Sequence, residues 1–125
     1  MCGLMLTTSR KLTRNAGALP AYRASVPSYR VAVAVGLLRP GTRAPDLLPE
    51  LVRTAEELAL VEAHDLSVVR GEARLTIRFT GDDDATARRT AWAVLARADE
   101  LAETAEPRFT RRYGARWYPV ARTRS

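Results

Sequence analysis

Between residues 30 and 120 the apolar residues change their period in the order two, three-to-four, two, two, three-to-four, two. A period of two marks a strand with one buried face, and spacings of three and four mark an amphipathic helix. The chain therefore reads β-α-β-β-α-β. The cleanest strand is residues 72–80. Ala73, Leu75, Ile77 and Phe79 point one way, and Glu72, Arg74, Thr76, Arg78 and Thr80 point the other. It forms a hairpin with residues 61–69 across Arg70-Gly71, and Leu66 and Val68 are expected to face the core. Residues 29–38 read as a central strand, with Val31, Val33, Val35 and Leu37 on one side and Ala32, Ala34, Gly36 and Leu38 on the other.

A first helix is expected from about Pro45, with Leu47, Leu48, Leu51, Val52, Ala55, Leu58 and Ala59 as its apolar stripe. A second is expected over residues 84–104. It is capped by the run Asp82, Asp83, Asp84 and buries Ala87, Ala91, Val94, Leu95, Ala98, Leu101 and Ala102. Residues 107–120 close the fold as a fourth strand, bent at Gly114 and passing into an extended tail through Trp117, Tyr118 and Pro119. The fold class is α+β. The expected form is a ferredoxin-like sandwich, with two helices on one face of a four-stranded antiparallel sheet. Residues 29–120 form that domain. Residues 1–28, broken by Gly17, Pro20 and Pro27, read as a flexible basic arm, and residues 121–125 as a frayed tail.

With 125 residues there is room for one domain. No apolar run approaches the roughly 18 residues of a membrane span, so no membrane partner and a cytoplasmic location are expected. One cysteine, Cys2, excludes an internal disulfide, and one histidine, His64, leaves no zinc-ligand spacing. Residues 1–30 carry five basic residues and no acid, and residues 108–125 carry six and no acid. All fourteen acids lie between, against nine arginines. Such segregation can attract anionic partners. Nineteen of the twenty basic residues are Arg, which is also the usage of a GC-rich genome.

No catalytic constellation emerges. Met1-Cys2-Gly3-Leu4 resembles the start of class II glutamine amidotransferases. That resemblance implies a cysteine nucleophile and a far larger layered sheet, and nothing downstream supplies the glutamine-binding loops. His64 lies beside Glu62 and Asp65 but has no paired nucleophile. The three adjacent aspartates suit helix capping, since a calcium loop spaces its donors over about twelve residues. No cofactor, metal or catalytic residue is expected.

RNA-recognition domains share the strand order but stack bases on aromatics of their two central strands. Here those positions hold Ala32, Ala34, Gly36, Arg74, Thr76 and Arg78. The expected contact surface is the small-residue sheet face with Arg74 and Arg78, joined by Arg108, Arg111, Arg112, Tyr113, Arg116, Trp117 and Tyr118 of the last strand. Arginine interleaved with aromatics suits both interface hot spots and single-stranded nucleic acid. The chain reads as a non-enzymatic binding or assembly module. Its expected partner is a second copy or another protein, and nucleic-acid association through the basic ends is the alternative.

Overall fold

The computed structural model describes residues 26–120. The calls on residues 1–25, Cys2 included, and on residues 121–125 lie outside them. Seven elements follow one another: β1 (Ser28–Leu38), α1 (Ala44–Glu56), β2 (Val61–Val69), β3 (Glu72–Thr80), α2 (Asp84–Leu101), β4 (Ala102–Tyr113) and β5 (Arg116–Pro119). The strands form one antiparallel sheet in the order β2-β3-β1-β4-β5. The β-α-β-β-α-β order and the layering of the α+β fold hold, with a fifth strand added at one edge.

Sequence chemistry accounts for the added strand. Gly114 has φ 60° and takes the first central place of a two-residue turn, where a II′ hairpin needs a positive φ. The chain thus folds back on itself instead of continuing as a tail. Pro119 is tolerated because β5 is an edge strand. The other hairpin, Arg70-Gly71, has positive φ at both central residues, 55° and 78°, as a I′ turn requires.

The core lies between the sheet and both helices. Tyr29, Val31, Val33, Val35, Leu75, Ile77, Phe79 and Phe109 supply the sheet side. Leu47, Leu51 and Ala55 come from α1, and Ala87, Ala91, Val94 and Ala98 from α2. Ala87, Ala91 and Ala98 are fully buried, so the helix backbone approaches the sheet closely. Three rings line up across the three inner strands: Tyr29 stacks on Phe79 at 6.0 Å and on Phe109 at 5.6 Å, and Trp92 of α2 closes over Phe109. Gly81 sits where any Cβ would lie 3.0 Å from that of Ala87 and 3.3 Å from the Tyr29 ring.

Several expectations are corrected. Pairing of β1 with β4 shifts register between Val35 and Leu38, so Leu37 turns to solvent and Leu38 packs against the core. A one-residue slip reverses every later side chain. Helix α2 ends at Leu101 instead of residue 104, and β4 begins at once, five residues before Pro107. Leu58 lies past the end of α1 and is exposed. Leu66 and Val68 do point to the helix side, opposite Leu75 and Ala73, but they lie beyond the reach of α1 and are exposed. The last residues of the expected arm are ordered by pairing: β1 starts at Ser28, and the Pro27 carbonyl accepts from the Gly81 N–H.

Candidate functional site: the open sheet face

Strand alternation decides which candidates share a surface. On β1, Arg30, Ala32 and Ala34 point away from the helices. Register places Arg78, Thr76 and Arg74 beside them on β3, and Thr110 and Arg108 on β4. Arg112 follows on β4, with Trp117 of β5 as its cross-strand partner. Arg74, Arg78, Arg108, Arg112 and Trp117 therefore share the open face. Arg111, Tyr113, Arg116 and Tyr118 alternate to the helix side. The nine candidates fall into two clusters.

The small-residue stripe is a floor, not a bare apolar patch. Ala34 is 1% exposed, although no helix of the described residues covers it. Arg74 reaches from β3 to Glu106 of β4 at 2.9 Å, and β1 lies between them, so this ion pair crosses over Ala34. Arg74 also meets Glu72 at 3.2 Å. Glu106 holds φ 52°, an uncommon backbone for a non-glycine residue, at the irregularity where β4 turns toward Arg74. Glu103 lies beside Gly36 at the same end.

The other end of the face is cationic. The Arg30 guanidinium carbon sits 4.1 Å from the centre of the Trp117 ring, and that of Arg78 sits 6.0 Å from it. Cations so placed are held by the ring's negative face. Arg78 pairs with Glu62 at 3.1 Å, and Glu62 also accepts from the Ser28 hydroxyl. Arg112 donates to the Gly114 carbonyl. Among the described residues no carboxylate lies within ion-pair distance of Arg30. Burial, then the charges of Arg78 and Arg112, hold its pKa below the ordinary arginine value. The sequence pattern does not single out Arg30, because the apolar alternation of β1 starts only after it, at Val31. Its parity on β1 was the available signal.

Beside Arg108 and Thr110 a shallow cleft of about 260 Å³ runs under Pro119 and Val120, and the Thr110 hydroxyl is enclosed without a hydrogen-bond partner.

The helix-side cluster is structural in character. Asp84, at the start of α2, accepts from the Tyr29 hydroxyl at 2.6 Å and from Arg111 at 2.8 Å. Asp83 caps the helix by accepting from the Thr86 N–H. Arg111 lies 4.8 Å from the Tyr113 ring centre, and Tyr113 meets Tyr118 edge-on. The hydrogen bond from Tyr29, followed by Arg111, holds the Asp84 carboxyl below the usual range. Burial, then the bond to Asp84, pushes the Tyr29 phenol up.

Both shifts bear on stability. A depressed carboxyl contributes stability that is present above the unfolded pKa and lost as pH falls through the folded one. A raised phenol contributes stability that is lost as pH rises beyond about 10. Urea midpoints are therefore expected to drop on both sides, below about pH 4 and above about pH 10. In Tyr29→Phe the alkaline drop should be smaller, and in Asp84→Asn the acid drop should be smaller. An alkaline limb identical in wild type and Tyr29→Phe would contradict this assignment.

His64 is exposed on β2. No cluster of three metal-type ligands occurs among the described residues. None of their helices is long and apolar enough to cross a membrane. What the open face offers chemically is recognition: planar, always-charged donors that match carboxylate or phosphate oxygens.

Two helices over one face of an antiparallel sheet in β-α-β-β-α-β order make this a ferredoxin-like α+β domain, and no helix of the described residues covers its other face. No family model matches the chain, and no curated protein matches it. Among solved structures it is similar to Rv0793 from Mycobacterium tuberculosis, with 18% identity, 70% of this chain and 93% of that chain covered, and a TM-score of 0.39.

Proposed function

We propose that this chain is a non-enzymatic binding module whose open sheet face takes an acidic protein segment, anchored at Arg30, Arg78 and Arg112 around Trp117. One observation carries the reading: Arg30 is pinned against Trp117 beside two like charges, with no carboxylate of its own among the described residues. Like charges held together in a partly desolvated place are relieved by an anion from outside. Side chains already positioned by a sheet lose little freedom on binding.

The same face argues against a continuous phosphate track. Glu72, Glu103 and Glu106 stand at its far end, where a nucleic-acid backbone crossing the sheet would meet like charge. Trp117, the single aromatic ring that the described residues place on this face, already has Arg30 over it, so they supply no stacking platform.

The test is a titration of the full chain with a fluorescein-labelled deca-glutamate peptide and, separately, with a 20-mer of oligo-dT. Saturable peptide binding that weakens on Arg78→Glu but not on Arg89→Glu, a change on the exposed side of α2, supports the reading. Oligo-dT binding that exceeds peptide binding, with a steep salt slope, would transfer the site to nucleic acid. Absence of binding to either probe would refute it.

A further inference from the structure

The two edges of the sheet are guarded unequally. Natural sheets protect an edge with short strands, Pro, charge or bulges, because its free N–H and C=O groups invite another strand. The β5 edge is four residues long, opens with Arg116 and ends in Pro119. The β2 edge is nine residues long and contains no Pro, Lys or Arg. From Ala63 to Val69 it pairs with β3 without irregularity. Its exposed side chains include Leu66, 47% accessible, and Val68, 71% accessible, with Leu60 just before it at 69%.

The direction of its free groups follows from the turn. A two-residue I′ hairpin closes on a hydrogen-bonded pair, here Val69 and Glu72. Bonded and non-bonded pairs alternate from there. Ser67 and Asp65 thus spend their backbone groups on β3, while those of Val68, Leu66 and His64 face outward. We propose that a second copy of this chain pairs antiparallel with β2 about a two-fold axis through Leu66.

That register matches every outward residue with an outward residue: Leu66 with itself, and His64 with the partner's Val68, each pair exchanging both N–H···O bonds. It also sets Asp65 opposite the partner's Ser67, a donor for its carboxylate. Centring on Asp65 would put two carboxylates face to face, which is unfavourable. Centring on Ser67 would put Asp65 against the partner's Val69. The axis is perpendicular to the sheet, so both helix layers fall on one side and both open faces on the other. Two Arg30 anchors then share one surface, and a long acidic partner could engage both. The pairing itself does not depend on what the open face binds.

Light scattering across a concentration series of the full chain tests it. Mass rising from 13.8 kDa toward twice that value is expected. Val68→Lys should stay monomeric and melt as the dilute wild-type monomer does, since Val68 is mostly exposed in the single chain. In a Cys2→Ser background, Leu66→Cys should cross-link under mild oxidation faster than Asp65→Cys, because only residue 66 meets its own copy within disulfide reach. A wild-type mass that stays at 13.8 kDa across the whole series overturns the proposal. So does a dimer that survives Val68→Lys, or one that Arg30→Glu abolishes in its place. The last result would locate assembly on the open face. Loss of peptide binding with the dimer intact would count against the proposed function alone.

Discussion

Arg30→Glu is expected to weaken binding of the acidic peptide by more than tenfold, about 1.4 kcal/mol or beyond, without lowering the melting temperature. Two effects add in this variant. The anchor loses a guanidinium that no described carboxylate occupies, and the new carboxylate lies beside Arg78 and Arg112, which attract it from within the chain. The site fills itself. Stability holds because the native arrangement keeps like charges together, and their removal offsets the lost stacking on Trp117. Arg30→Gln should fall between wild type and Arg30→Glu, having lost the charge without inserting a competitor. Peptide titration beside a circular-dichroism melt reads both quantities. Equal affinity in all three proteins would mean that the anchor lies elsewhere.

Tyr29→Ala is expected to remove about 3–5 kcal/mol of stability, the range for deleting a buried aromatic side chain. Total stability of a domain is about 5–15 kcal/mol, so the variant should lose a large share of it. Tyr29 is fully buried, and its ring is the middle of the three-ring row that joins β3, β1 and β4. Its hydroxyl is the smaller part. Tyr29→Phe keeps the ring, and Asp84 keeps Arg111, so a loss of about 1.5 kcal/mol is expected, the low end of the range for one hydrogen bond to a charged group, because Asp84 is partly exposed. Urea unfolding of the two variants separates packing from hydrogen bonding. Equal losses would mean that the phenol–carboxylate bond, not the ring, holds the helix start to the sheet.

How much of this was legible in the sequence depends on what each element needed. Strand β3 could be read residue by residue, because one face is buried and the other is charged. Parity puts Arg74 and Arg78 on the open face; the same alternation along β4 divides Arg108 and Arg112 from Arg111 and Tyr113, which the sequence reading had joined in one contact surface. The Arg70-Gly71 turn was visible because Gly tolerates the positive φ.

The failures have physical causes outside the local pattern. Leu37 and Leu38 exchanged sides because a register shift against β4, residues far along the chain, reversed them. Leu66 and Val68 carry the pattern of a core face, but burial depends on how far α1 extends sideways over the sheet, which no spacing within β2 encodes. Gly114 signalled a bend, yet four residues ending in proline gave too short a pattern to name as a strand. The meeting of Trp117 with Arg30 rests on that hairpin, and so it was not foreseen. The Asp84–Tyr29–Arg111 cluster joins residues 27 and 55 positions apart and needs the folded register to exist. The three aspartates were rightly read as capping, but Asp84 also ties the helix start to the sheet.

Chemical-shift mapping of the isotope-labelled full chain during titration with the deca-glutamate peptide tests the central claim most directly. The account predicts saturable shifts at the Trp117 indole N–H and at the Arg30, Arg78 and Arg112 side-chain resonances, with residues of α1 and α2 unmoved. Saturable shifts confined to the helix side, or to residues outside 26–120, would contradict it.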